Sequence, residues 1–261
     1  MDEGEVMTQR HGAQSAAPEQ DMRAITHPSE GTLRQRLTYF LGQGYTLREL
    51  ACKGLRLMVW ARIHRALRHR FRSCGRGVIV DPTCSVDGAR FIALGDRVWV
   101  QRGSWLCVPL VEMPRPDARA YLSLGSGVRV GPGCTLAAAN RVDIEDDVLF
   151  GPNVTVLDHA HAYEDVTRPV SRQGIKTGGR VVVRRGAWLA ANVVVHASGG
   201  LLEIGENSVV AANSVVLSSV PPRTVVAGNP ARPILCYDDS AQQWTRVSEP
   251  LKQEADHEPT P

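Results

Sequence analysis

The sequence predicts an all-β solenoid, a parallel β-structure wound as three-sided coils, preceded by a basic helical segment. Three observations predict it. Aliphatic residues recur every six positions in sets of three: Leu94/Val100/Leu106, Leu124/Val130/Leu136, Ile144/Phe150/Val156, Val183/Leu189/Val195 and Ile204/Val210/Val216, with Val80 and Val86 opening an earlier, incomplete set. Four places after the first and second member of each set the residue is always small or Val: Val98, Ser104, Val128, Cys134, Val148, Val154, Ala187, Val193, Ser208 and Ser214. Gly or Ala often follows the aliphatic residue directly, as at Gly95, Gly125, Gly131, Gly151, Ala190, Gly205 and Ala211.

Each hexapeptide supplies one short strand and one turn, with the aliphatic residue inward and small residues easing the turn. Three hexapeptides close a coil of 18 residues. Stacked coils pair their backbones at about 4.8 Å and bury a column that no single coil could bury. The intervening segments lack a helical period, which argues against βαβ units. A sandwich would alternate with period two on longer strands.

In chain order, residues 1–30 are polar and unpatterned and read as a disordered arm. Residues 31–76 read as helical, with a break near Gly42-Gln43-Gly44. On a helical wheel Leu55, Ala66, Val59, Ile63, Leu67, Trp60 and Phe71 share one side, and Arg62, His69, Arg65, Arg72, Arg68 and His64 the other. Arg48 to Arg76 holds nine Lys/Arg against one Glu, a local charge of +8 in a chain that totals +3. Such a helix either packs its apolar face on the main domain or lies on an anionic lipid surface through 47–72; no nucleic-acid motif accompanies it. Residues 77–237 form the solenoid, and 238–261 read as a second disordered tail.

Composition narrows the function classes. The first 30 residues lack the basic start and apolar stretch of a secretory signal, and no apolar run approaches a membrane span, so a cytoplasmic location is expected, peripheral at the membrane if the basic helix meets lipid. Cys52, Cys74, Cys84, Cys107, Cys134 and Cys236 form no C-x-x-C pair and read as reduced thiols without a zinc site.

The chain resembles the left-handed parallel β-helix, hexapeptide-repeat acyltransferases, and within them the maltose/galactoside acetyltransferases and relatives that O-acetylate surface polysaccharides. The resemblance covers roughly residues 78–235. It rests on the repeat and on three segments: Gly151-Pro152-Asn153-Val154-Thr155-Val156-Leu157-Asp158-His159-Ala160-His161, Gly186-Ala187-Trp188-Leu189-Ala190-Ala191-Asn192-Val193-Val194-Val195, and Ser218-Ser219-Val220-Pro221-Pro222-Arg223-Thr224-Val225-Val226-Ala227-Gly228-Asn229-Pro230-Ala231-Arg232. It implies acetyl-CoA as co-substrate with no metal, a homotrimer with shared sites, and a sugar or glycan acceptor, lipid-linked in one version.

Function is expected where the period breaks. The step from Val156 to Val183 is 27 residues, 21 more than an unbroken coil needs. This excursion, 157–182, carries Asp158, His159, His161, Tyr163, Glu164, Asp165, Arg168, Arg172 and Gln173. A second break, between Leu106 and Leu124, carries Glu112, Arg115 and Asp117, with no readable role. A sugar hydroxyl needs a base to take its proton as it attacks a thioester, and neutral imidazole suits that task.

The resemblance puts the base at His159, with His161 as the alternative. Asp158 reads as a turn residue lining the acceptor side, and Glu164 or Asp165 as the partner orienting the imidazole. Tyr163 and Arg168 are candidate acceptor contacts. Trp188 matches a Trp bordering the acceptor pocket, or else packs on the coil exterior. Ala191, Ala212, Ser218 and Ser219 match the pantetheine and phosphate path, although a Lys is common where Ser219 stands. Phosphate contacts then fall to Arg232, Arg223 or Arg184; Arg232 reaches the nucleotide end or caps the last coil. Zinc held by His159, His161 and His196 is a further alternative, but the spacing does not match the β-helical carbonic anhydrases. Two rival functions stay open: an amino-sugar N-acetyltransferase and a non-catalytic β-helical scaffold.

Overall fold

Strands of two or three residues follow from the six-residue period, because alternate side chains of a strand share one face and the next turn must come at once. The computed structural model describes residues 41–42, 44, 46–52, 54–55, 58, 68–109 and 120–247. Two units are distinguished, Met1–Leu55 and Arg56–Pro261. In the first, residues 47–52 are helical. This helix opens with a capping box: Glu49 N–H donates to the Thr46 hydroxyl at 3.2 Å and Thr46 N–H to the Glu49 carboxylate at 2.8 Å. Most of the predicted basic helix, both predicted disordered arms up to residue 30 and beyond 247, and the excursion with Glu112, Arg115 and Asp117 lie outside the described residues.

Among its described residues the second unit holds three large sheets and a two-stranded one, Ala160–His161 with Ile175–Lys176. The first has six parallel strands: Ser73–Cys74, Ile92–Leu94, Leu122–Leu124, Arg141–Ile144, Gly179–Val183 and Gly200–Ile204. The second runs in parallel through Ile79–Val80, Trp99–Val100, Arg129–Val130, Leu149–Phe150, Trp188–Leu189, Val209–Val210 and Thr224–Gly228. The third is parallel from Ser85–Asp87 through Trp105–Cys107, Thr135–Ala137, Thr155–Leu157 and Val194–His196 to Val215–Val216. Apart from the hairpin within 157–182 and the antiparallel strands after Gly228, the chain visits the three large sheets in turn, so each strand pairs with the strand one coil away.

Register follows the repeat: Ile144 pairs with Val183, Phe150 with Leu189, and Val156 with Val195. All fifteen aliphatic or Phe positions of the five complete sets are at most 2% exposed. The ten small positions are at most 1% exposed. They therefore face inward at the narrow corners of the cross-section, where a larger side chain would not fit. Polar corner residues are satisfied by main chain of the next coil: Ser104 Oγ donates to Gly131 O at 3.0 Å and Ser208 Oγ to Pro221 O at 2.7 Å.

Corners between the second and third sheets place Gly133, Asn153, Asn192 and Asn213 at positive φ, the left-handed conformation that Gly and Asn adopt most readily. The asparagines stack: Asn153 Nδ2 donates to Asn192 Oδ1 at 3.2 Å, and Asn192 Nδ2 to Asn213 Oδ1 at 3.0 Å.

Three boundaries differ from those the sequence predicts. Residues 73–76, assigned to the helix, already belong to the solenoid: Ser73 and Cys74 pair with Ala93 and Leu94, and Arg68–Arg70 just before them form a 3-10 turn. The excursion rejoins the first sheet at Gly179, ahead of the expected 182. Past Asp238 the chain does not begin a tail. Strands Ala231–Asp238 and Gln243–Arg246 extend the second sheet as an antiparallel hairpin, closed by Tyr237 against Trp244 at 5.5 Å between ring centroids.

Candidate active site

The third sheet's strand Thr155–Leu157 ends where the repeat is interrupted. Asp158, the next residue, is fully buried. Its carboxylate accepts N–H bonds from Ala139 at 2.8 Å, Asn140 at 2.7 Å and Arg141 at 2.5 Å, the turn one coil earlier. It also meets His159 Nδ1 at 2.8 Å, with the imidazole only 16% exposed. A carboxylate has about four acceptor positions, and four donors use them here. Asp158 is thus a turn residue, as expected, and also the partner of the imidazole. Its acceptance at Nδ1 makes Nδ1 the protonated nitrogen and leaves the lone pair on Nε2.

Glu164 and Asp165, the expected partners, are committed elsewhere. Glu164 pairs with Lys176 Nζ at 2.7 Å, and that ammonium pulls its carboxyl down to about 2. Asp165 accepts from the Thr167 hydroxyl and N–H, which hold its carboxyl below the usual range. Both act within the excursion, a built hairpin in which Ala160 and His161 pair with Lys176 and Ile175. Gln173 crosses it, donating to Asp165 O at 2.8 Å and to Arg168 O at 2.9 Å. His161 is exposed in the hairpin strand, Tyr163 is exposed, and Arg168 donates to Arg172 O.

Of the remaining candidates, only Ser218 and Ser219 share the third-to-first corner with His159. Trp188 points outward from the second sheet, 46% exposed, in register with Leu149 and Val209. Within one chain the whole first-sheet strand Gly179–Val183 separates it from His159 in the coil path. Ala191 and Ala212 occupy the second-to-third corner on successive coils, half-buried and exposed. Ser218 and Ser219 occupy the third-to-first corner, where Ser219 Oγ accepts from Glu203 N–H at 3.0 Å.

Arg184 is neutralised between Glu145 at 2.8 Å and Glu203 at 2.7 Å, and Arg223 pairs with Asp239. Arg232 is exposed on the terminal hairpin and donates to Ala231 O at 3.0 Å. His196, proposed at most as a metal ligand, instead meets the His159 carbonyl oxygen through Nε2 at 3.2 Å. Among the described residues no group of three or more His, Cys, Asp and Glu is placed to hold a metal ion.

A cleft of about 540 Å³ opens on the first sheet, lined by Arg141, Asp143, Arg180, Arg184, Arg185 and Glu206 among others, away from His159. Its charges are mutually paired. Burial alone would raise the Asp143 carboxyl, but bonds from Arg141, Ser123 and Arg180 outweigh burial and hold it low. Burial raises the thiols of Cys74, Cys84 and Cys107 and pushes Cys134 up to about 11, so none of these four is an activated nucleophile.

No family model matches the chain. WbbJ of Escherichia coli K12, a provisionally named lipopolysaccharide biosynthesis O-acetyl transferase, is 33% identical over 135 residues, 49% of this chain and 67% of that protein. The galactoside O-acetyltransferase of the same organism is 29% identical over 160 residues, 59% of this chain and 68% of that one. Among solved structures, AntD of Bacillus cereus, an N-acyltransferase in complex with dTDP and 3-hydroxybutyryl-CoA, superposes with a TM-score of 0.56 at 18% identity, covering 68% of this chain and 89% of that one, a likeness of fold alone.

Proposed function

The chain belongs to the hexapeptide-repeat acyltransferases of the maltose/galactoside acetyltransferase type, and on that premise we propose that it is an acetyl-CoA-dependent O-acetyltransferase acting on a sugar hydroxyl in surface-glycan assembly. The observation that carries this reading is the buried Asp158 carboxylate holding His159 Nδ1 at the point where the repeat breaks. It supports His159 over His161 as general base. The finer fold reading is a left-handed parallel β-helix.

His159 Nε2 takes the proton from the acceptor hydroxyl as its oxygen attacks, and Asp158 stabilises the imidazolium that forms. The same nitrogen returns the proton to the departing thiolate. Acetyl-CoA, when bound, supplies the thioester carbonyl, and direct attack needs no acyl-enzyme. The residues fit such a co-substrate. One-methyl side chains at Ala191 and Ala212 leave main chain reachable on successive coils, and the exposed Arg232 guanidinium suits phosphate. Ser218 and Ser219 flank the neighbouring corner.

Trp188, Tyr163 and Arg168 serve the acceptor. The column of Trp99, Arg129, Leu149 and Trp188 on the second sheet, with its three large apolar side chains exposed, supports a homotrimer, in which a second copy brings that face to the His159 corner of the first. A lipid-linked acceptor gives the basic segment 47–72 its purpose at the cytoplasmic face of a membrane. Among the described residues no helix is long and apolar enough to cross one.

Steady-state turnover with acetyl-CoA and a panel of hydroxyl and amino sugar acceptors tests the reading. His159→Ala should stay folded and lose about 100-fold or more in kcat, while His161→Ala keeps most of it. The reverse result moves the role to His161, and transfer to amino acceptors alone makes the enzyme an N-acetyltransferase.

A further inference from the structure

The excursion leaves the third sheet after Leu157 and returns to the first at Gly179, and main chain and side chains from three successive coils fasten the neck between those points. From the coil before, Asn140 Nδ2 donates to Gly179 O at 2.7 Å. Gly179 itself threads a gap that admits no side chain: a Cβ there would lie 2.0 Å from Ala197 O and 2.3 Å from Asp158 O. From the coil after, Ala197 N–H donates to Leu157 O at 3.0 Å, the last bond of the parallel ladder on that side.

In an unbroken parallel ladder the next carbonyl to be bonded would be that of His159, two residues on, by a main-chain N–H of the following coil. The departing chain forgoes that bond. The His196 side chain makes it instead, with Nε2 at 3.2 Å from His159 O. A carbonyl only accepts, so Nε2 carries the proton.

The position of His196 sharpens the point. It closes a column along the edge of the third sheet in which successive coils place Cys107, Ala137, Leu157 and His196 in register. The three coils before it hold a thiol or an apolar side chain at this height, and the first coil holds a carboxylate, Asp87. A ring with a polar nitrogen stands on the coil next to the departing chain, where one carbonyl has lost its ladder partner.

We infer that His196 is a positioning residue for His159: its Nε2–H fixes the peptide from which the imidazole projects, while Asp158 fixes the ring. His159 is then held at two points, its ring by the adjacent Asp158 and its carbonyl by His196 of the coil after. Nothing in the resemblance to known acyltransferases assigns His196 this role. The inference rests on His159 being the base, and an imidazole displaced by about 1 Å can lose up to about 100-fold in rate.

The test uses the full chain with His196→Leu, which removes the donor, and His196→Gln, whose amide keeps one at similar reach. His196→Leu should lower kcat about tenfold or more, with KM for acetyl-CoA and acceptor within about twofold. His196→Gln should recover most of the loss, and in a His159→Ala background His196→Leu should change turnover no further. Unchanged kcat in His196→Leu, a loss equal in both variants, or an undiminished loss in the His159→Ala background overturns it.

Limited trypsin cleavage at the exposed Arg172 and Lys176 keeps the fastening testable if His159 proves not to be the base. Faster cleavage in His196→Leu than in His196→Gln supports the neck contact, and equal rates refute it. The base assignment fails separately, on His159→Ala retaining its turnover.

Discussion

Two corners of the same solenoid are built on opposite principles. Between the second and third sheets, Asn153, Asn192 and Asn213 repeat one conformation and pass one side-chain hydrogen bond from coil to coil. Between the third and first sheets the corner at Asp158 occurs once, and its bonds come from unlike groups: three N–H donors of the coil before and the imidazole beside it. A repeated corner is satisfied by its own copies, so its asparagines contribute stability and aim no reacting group, and what borders the proposed pantetheine path there is the main chain at Ala191 and Ala212. A unique corner must be held by dedicated residues, and a side chain so held can be aimed.

The widest separation between the two corners is expected from Asp158→Asn. An amide cannot accept from all the donors a carboxylate serves, so buried N–H groups lose partners at roughly 1–3 kcal/mol each. Both stability and turnover should fall, turnover by about tenfold or more as the imidazole loses its anchor. Chemical denaturation and steady-state rates measured on one sample check both arms. Wild-type rates in a destabilised variant would show that the carboxylate is only a turn residue.

A smaller effect, and on stability alone, is expected from Asn153→Ala. Alanine at positive φ costs about 1–2 kcal/mol, and the amide ladder ends one rung short. The unfolding midpoint should drop while kcat stays within about twofold; a large loss of turnover would join this corner to the chemistry and dissolve the distinction.

Most of the column was legible because its cause is geometric. Each coil repeats the last, so Leu94, Leu124, Ile144, Val183 and Ile204 announce themselves by spacing, and their burial follows. His159 was legible from the break and the residues around it. The role of Asp158 was half legible. Its donors lie 17 to 19 residues earlier, one coil back, and become neighbours only when the coil length is applied to a polar residue as well as to the aliphatic ones.

His196 needed one step more, because the excursion shifts the register, and coil plus excursion must both be counted to set it beside Leu157. The terminal hairpin was missed for another reason. Its strands are antiparallel and half-buried or exposed, so they carry no six-residue period, and burial alternates only over the first four residues, Ala231 to Ile234. For Trp188 the sequence left two readings open, a wall of the acceptor pocket or the coil exterior, because which copy of the chain it serves is a property of the assembly and leaves no mark in one sequence.

The most direct test of the account is a crystal structure of the full chain with coenzyme A bound. The account predicts the thiol at the third-to-first corner, within hydrogen-bond reach of His159 Nε2 directly or through one water, with the pantetheine passing Ala191 and Ala212. A thiol seated instead in the first-sheet cleft among Arg141, Arg180 and Arg184, away from the imidazole, would contradict it.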